Sequence, residues 1–430
     1  MSSLALRNLT TDAALALPGP DWLRARRAAA AERFAALELP SEAEEIWRYS
    51  RISELDLDAY APARDGAGGD RALPPALAPV MTATAPNAAV ALVRNGRLAH
   101  LEIDPSLAAK GLEVVDLSML EGGDDVLGGV RATGQDVFGE LNSAFLPGAT
   151  LVRVPAGLEV EGTVLVLHWL EGDGVAAFPR TLVETGADSG VTVVEHQASA
   201  DVAAFVDPVV DLHVGEAARL RYVNVQDLGP RVWQVGHQRS EVERDATLWS
   251  SVVALGGDYA RVRTDSRIDG QGGTSYLTAA YFADGDRMHD FRTLQDHAAP
   301  SSTSDLLFKG AVQNRGRSVY SGLIRVRKEA RGTNAFQTNR NLVLSEGAGA
   351  ESVPNLEIET DDVRCSHASA VGPIDEDQRY YLESRGVPSD VAERLVVLGF
   401  LDEVLSRLPS PSLVARVRET VAARLATRTA

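Results

Sequence analysis

Two residues in the last quarter of the chain have the types and spacing to act together. Cys365 is the only cysteine in 430 residues, and His367 follows two positions later. Both lie in Asn355 to Arg385, NLEIETDDVRCSHASAVGPIDEDQRYYLESR, which opens with a strand-like alternation. Side chains on a strand alternate faces, so Cys365 and His367 project together, while Arg364 and Ser366 face the other way. A thiolate beside an imidazole offers one soft and one borderline metal ligand. One thiol cannot supply the four cysteines of an ordinary iron–sulfur site, so a cluster held here is shared with another chain. The same spacing also suits a packed strand end, because a lone cysteine commonly serves as a small buried hydrophobe.

A second group is HDFRTLQDH, with His289 and His297 flanking Asp290 and Asp296. It makes a metal site only if folding brings the two histidines together; otherwise these are turn and surface groups. Other chemistry is missing from the sequence. There is no Walker A loop, no G-x-S-x-G elbow and no H-E-x-x-H. Acidic residues on successive turns of a solenoid could line a cleft, as in β-helix carbohydrate-active enzymes, but no such cluster stands out.

The elements that must position these residues change character along the chain. Residues 20–39 read as a helix opened by Pro20 and Asp21, with Leu23, Ala30, Phe34 and Leu37 at helical spacing. Ser41 and Glu44 have the form of a capping box, and Trp47 and Tyr49 of EEIWRYS read as packing anchors. From Ala88 the period becomes two, and Asn95-Gly96 between AVALV and LAHLEI predicts a hairpin. GLEVVDL adds a short strand, and DVFGELNSAFL a helix with Phe138, Leu141 and Phe145 on one side. Short strands then follow one another to Cys365. Gly162, Gly190, Gly215, Asp245 and Gly273 mark a spacing of about 25 to 30 residues, the range of solenoids. A β-sandwich would turn every 8–12 residues or so, and the lack of hairpin turns here favours stacked rungs. The expectation is a mainly β protein, a right-handed parallel β-helix with helical domains at both ends. Its divisions are residues 1–61 helical, 62–87 a linker or mobile loop, 88–150 a mixed lead-in, 151–371 the β-helix core and 372–430 helical. In the last, Asp375 opens a helix closed by Gly386, and a second runs from Ser389 to Leu408 with Val391, Leu395, Leu398, Leu401 or Leu405, and Leu408 as its apolar stripe.

Composition narrows the function. A net charge of −18 argues against nucleic acid and anionic membranes as partners. No apolar run approaches the ~20 residues of a transmembrane helix. A single cysteine excludes a disulfide framework and fits a reducing compartment. The first residues do not form a secretory signal, and Asp12 and Asp21 argue against a transit peptide. The expected location is the cytoplasm.

These residues carry a family resemblance. GTNAFQTNRNLVLSEGAGAESVPNLEIETDDVRCSHASAVGPIDEDQRYYLESRG resembles the C-terminal core of the SufB/SufD family, scaffold subunits of the SUF iron–sulfur assembly machine. VVLGFLDEVLSRLP extends the match through Gly399, Phe400 and Glu403, and EIWRYS and ELNSAF resemble further family segments. The match is to the SufD-type branch: SufB-type chains carry a cysteine at the place of Asn339 and tend to carry glutamate where His367 stands. The resemblance implies a non-catalytic scaffold with a β-helix core, pairing with a SufB-type subunit and docking a SufC-type ABC ATPase. His367 first and Cys365 second become the cluster-assembly residues, as ligands shared with the partner. Tyr381, Leu395, Leu398, Phe400, Leu401 and Glu403 become the ATPase-docking candidates. The implied cofactor is a transient iron–sulfur cluster at the partner interface, with none held tightly by the isolated chain. A flavin on the complex and a homodimer of the isolated chain are left open. The alternatives are a SufB-like subunit that nucleates the cluster itself, against which Asn339 stands, and a β-helix carbohydrate-active enzyme.

Overall fold

A computed structural model describes residues 6–63, 72–129 and 136–426. The middle of the chain winds into a parallel β-solenoid of about eight turns, with helices at both ends. Successive strands alternate between two sheets. One runs Glu159–Leu170, Gly190–Ser199, Arg219–Asp227, Thr247–Ala254, Thr274–Ala283, Thr303–Val312, Thr333–Val343 and Val363–Gly372. The other includes Val209–Val214, Val232–Val242, Tyr259–Ile268, Met288–His297, Arg317–Val326 and Gly349–Ile358. Partners within the first sheet follow Gly190, Arg219, Thr247, Thr274, Thr303, Asn334 and Arg364, so each turn takes 27 to 31 residues. The expected hairpin forms, with Asn95 and Gly96 both at positive φ, and its first strand joins this sheet in parallel beside Glu159–Leu170.

One corner of each turn is held by a residue in the left-handed region: Gly157, Asp188, Ala217, Asp245, Gly272, Ser301 and Gly332. Each passes its N–H to the next turn, as in Asp188 to the Glu216 carbonyl and Ser301 to the Arg331 carbonyl, both within 2.8 Å. Such a corner satisfies its backbone polar groups by stacking. Ala217 and Ser301 hold it at φ 56° and 57° although neither type favours positive φ, so composition marks the repeat only irregularly.

The N-terminal segment covers the outer face of the second sheet. Asp21–Ala35 is helical, and Leu23, Ala30 and Phe34 are buried on its inner side. Ser41 N–H donates to Glu44 Oε1 at 3.0 Å, and a 3₁₀ turn at Glu45–Trp47 follows. Trp47 is buried, with the Arg261 guanidinium 3.7 Å over its ring. Beneath it, Asp290 accepts from Arg261 at 2.7 Å, Arg292 at 2.6 Å and the Tyr259 hydroxyl at 2.7 Å. The two arginines also donate to the Ile46 and Arg48 carbonyls, so one buried carboxylate clamps the segment onto the sheet. Burial alone raises the Asp290 pKa, but Arg261 and Arg292 outweigh it and hold the carboxyl below its ordinary range.

In the stretch expected to be a linker, residues 64–71 lie outside the described residues. Pro75–Leu77 and Ala78–Thr84 are helical instead, and Leu77 and Val80 are fully buried. The outer face of the first sheet is covered by the C-terminal helices Ser389–Leu405 and Pro411–Leu425, whose Val397, Leu401, Val404, Val417 and Val421 share a core with Val223, Val225, Val253 and Leu307. Lys309, buried in that sheet, donates to the Phe400 carbonyl at 3.1 Å and pairs with Glu403. No helix among the described residues is long and apolar enough to cross a membrane.

Candidate functional site

The solenoid ends on two strands that each have one partner. Gly349–Ile358 pairs with Arg317–Val326, and Val363–Gly372 pairs with Thr333–Val343; among the described residues, no strand takes the other edge of either. Most of Val363–Gly372 is exposed. Register fixes which residues face the solenoid axis. Cys365 aligns with Ala335, His367 with Gln337, and Ser369 with Asn339, all of which are buried on the inner face of Thr333–Val343. Cys365 and His367 therefore share the inward face at the open end, at alternate positions about 7 Å apart along the strand. Ser369 donates to Ser352 at 2.8 Å and ties the two terminal strands together.

The two residues sit differently. Cys365 is half-buried against Ile324, Val326, Ala330, Ala335 and Val363. That burial pushes its thiol pKa up, so the group is a thiol rather than a ready thiolate near neutral pH. His367 is exposed at the open end. Among the described residues there is no group of three or more His, Cys, Asp or Glu placed to hold a metal ion. Cys365 and His367 are two residues of ligand type on one face and do not make a metal site by themselves.

Asn339, the residue on which the SufD-type resemblance turned, is completely buried. Its amide donates to the Tyr281 hydroxyl at 3.0 Å and accepts from Asn341 at 2.8 Å, and Tyr281 donates to Asn341 at 2.6 Å. Gly310 is required beside it, because a Cβ there would overlap the Tyr281 ring. The interior here is a satisfied polar network with no thiol.

The HDFRTLQDH histidines do not meet. Both lie on the inner face of Met288–His297, eight residues and so about 26 Å apart. His289 contacts the Gly256 carbonyl at 3.1 Å, and His297 contacts Ser302 and Ser304, both at 2.8 Å. Burial lowers each imidazole pKa to about 4, so both are neutral core groups. Asp290 and Asp296 face outward, the first in the clamp and the second paired with Arg327 at 2.7 Å.

The docking candidates divide. Tyr381, Leu395 and Phe400 line an open groove of about 790 Å³ between the helices Glu376–Ser384 and Ser389–Leu405, together with Leu342, Pro373 and Val396. Tyr381 is 58% exposed and Leu395 48%, unusual for large apolar groups. Leu401 is 1% exposed and belongs to the core, and Leu398 packs partly against the same core. Leu401 is therefore not on a free surface, and Leu398 is only partly covered. The buried stripe runs through Val397, Leu401, Val404, Leu405 and Leu408, which turns Leu395 outward. Glu403 is held by Lys309.

Sequence reasoning passed over Gln337, Ser352 and Ser369. The signal for Gln337 was available: Ala335, Gln337, Asn339 and Asn341 alternate along one strand, and polar residues at alternate positions there face inward.

Fold and site together define a class, a parallel β-solenoid with an open end that presents a thiol and an imidazole on one inward face. The particular family follows from comparison. Residues 168–400 match the family model described as SUF system FeS cluster assembly, SufBD core domain, and the chain belongs to that family. It is similar to an iron–sulfur cluster assembly SufBD family protein of Mycobacterium tuberculosis, 33% identical over 397 residues that cover 90% of this chain and 89% of the relative. It is also similar to the iron–sulfur cluster assembly protein SufD of Escherichia coli, 29% identical over 70% of this chain and 73% of that one. SufD of Bacillus subtilis is 29% identical over 74% of each chain.

Proposed function

We propose that this chain is the SufD-type, non-catalytic half of an iron–sulfur assembly scaffold. It pairs with a SufB-type subunit through the open end of the solenoid and carries a SufC-type ABC ATPase on its C-terminal helices. The observation that carries this reading is the terminal pair of strands with free edges and with His367 and Cys365 on the inward face. A free strand edge presents unpaired N–H and C=O groups, a template for a strand of another chain. Capping by a partner would cover these edges and complete the ligand set that this chain leaves partial. The cluster is then cargo formed at the junction, with His367 as a ligand or proton-handling group and Cys365 in the lesser role, because its thiol is held protonated. ATP hydrolysis and sulfur mobilisation belong to other chains. The groove lined by Tyr381, Leu395 and Phe400 supports docking of the ATPase.

The test is co-expression of His367→Ala with the SufB-type and SufC-type chains, followed by size measurement and iron and sulfide analysis. The expected result is a complex of normal size with sharply reduced cluster. Normal cluster yield in an assembled complex refutes the role of His367.

A further inference from the structure

We propose that the free edge of the strand Gly349–Ile358 selects a partner strand that carries lysine or arginine in register with Glu357. This rests on the reading, given above, that a SufB-type chain caps the open end of the solenoid.

The outer face of the second sheet carries charges that alternate in sign from turn to turn. Register aligns His213, Glu241, Arg267, Asp296, Arg325 and Glu357, one from each successive turn. The row begins earlier, since Glu184 has Arg153 in register on one side and His213 on the other. His213 fills a cationic place when its ring is protonated. Neighbouring strands lie about 4.8 Å apart, so side chains in register on one face reach each other; opposite charges there attract and like charges repel. The contacts follow the register. Glu184 lies 2.8 Å from Arg153, Asp296 3.5 Å from Arg267 and Glu357 2.9 Å from Arg325. Each carboxylate inside the row thus has a cationic residue in register on both sides: Glu241 stands between His213 and Arg267, and Asp296 between Arg267 and Arg325. Glu357 has one on a single side. Arg325 donates to its Oε2 from Nε at 3.1 Å and from Nη2 at 2.9 Å. On the other side is the strand edge, which no strand among the described residues takes. A strand added there sets one of its own outward side chains against Glu357. A cation at that place continues the alternation, and a carboxylate breaks it. The same rule argues for a different chain over a second copy joined through this edge. The outward residues of Gly349–Ile358 are Glu351, Val353, Asn355 and Glu357, two carboxylates and no cation.

The experiment measures the affinity of the full chain for the SufB-type chain by sedimentation and calorimetry, at low and at high salt, with melting temperature as the check on folding. At low salt Glu357→Lys should weaken association about ten-fold and Glu357→Gln about three-fold, and both deficits should shrink at high salt, where an exposed pair is screened. Glu357→Gln keeps the shape of the side chain and serves alone if the lysine variant does not fold. Glu184→Gln removes a carboxylate from the same row far from the open end, and it should leave the affinity within about two-fold of the wild type. Wild-type affinity in the folded Glu357 variants overturns the proposal, and so does an equal loss in Glu184→Gln, which would make the effect one of overall charge. Self-association of the wild type that is tighter than its binding to the SufB-type chain assigns the edge to a second copy and also overturns it. The two readings fail separately. A wild type that does not bind the SufB-type chain removes the reading of the open end itself. Binding that persists undiminished in Glu357→Lys removes only the selection by charge.

Discussion

His289 gives a direct test of how the solenoid interior is charged. Its folded pKa is about 4 against an ordinary value of 6.5, chiefly because burial disfavours the imidazolium, with Arg424 and Arg287 adding to the effect and the Gly256 carbonyl opposing it. The folded state therefore binds fewer protons than the unfolded one. The stability this contributes is complete above pH 6.5 and is lost as the pH falls from 6.5 towards 4. At pH 5 the unfolded imidazole is almost fully protonated and the folded one is about a tenth protonated, a difference of about 2 kcal/mol relative to neutral pH. Asp207 works in the opposite direction. It is buried with its pKa raised well above the usual range, by burial first and by Asp136 second, so it favours folding as the pH falls.

A wild-type pH profile alone mixes these effects, and the measurement is therefore a difference. His289→Gln retains a donor for the Gly256 carbonyl and cannot titrate. Urea unfolding of both proteins at pH 7 and pH 5, followed by the fluorescence of the five tryptophans, gives the change in the stability gap between them. Between pH 7 and pH 5 the wild type should lose about 2 kcal/mol more than the variant, with the contribution of Asp207 common to both. A gap that stays constant refutes the placement of His289 as a buried neutral group. Added zinc should leave both proteins unchanged, because His297 lies about 26 Å away along the strand.

Two further perturbations probe how the helical ends are held. Leu401→Ala should cost about 2–5 kcal/mol by leaving a cavity in the core between helix and sheet, whereas Leu395→Ala should change stability by under about 0.5 kcal/mol yet weaken capture of the ATPase partner; thermal melts and a pull-down separate the two. Asp290→Asn leaves Arg261 and Arg292 buried against a neutral group and should cost about 3–5 kcal/mol, with hydrogen exchange rising at Ile46 to Arg48 if the carboxylate is the clamp.

What the sequence reveals of this protein follows from which signals are local. The hairpin at Asn95-Gly96 was legible because its turn requires positive φ at two adjacent residues, and Asn-Gly is the pair that tolerates it best. The solenoid was legible through spacing, but its markers were blurred because the left-handed corner accepts Ala217 and Ser301 as well as glycine and aspartate. The corner is stabilised by bonds to the next turn, a partner nearly thirty residues away that no local pattern displays. The same limit applied to the C-terminal helix, where apolar residues surround the helix closely enough for two stripes to be drawn. Only the position of Val253 and Leu307 on the sheet below selects Val397, Leu401 and Val404 as the buried one. At the site, alternation placed Cys365 and His367 on one face, since that depends on a single strand. Their difference in exposure, and the unpaired amide of Gln337 in register with His367, depend on where the stack of turns stops. Each inner strand of a solenoid has a neighbouring turn on both sides, so the last turn is where strands first lack a neighbour on one side. That is the physical reason why the residues available to a partner gather at the open end of this chain.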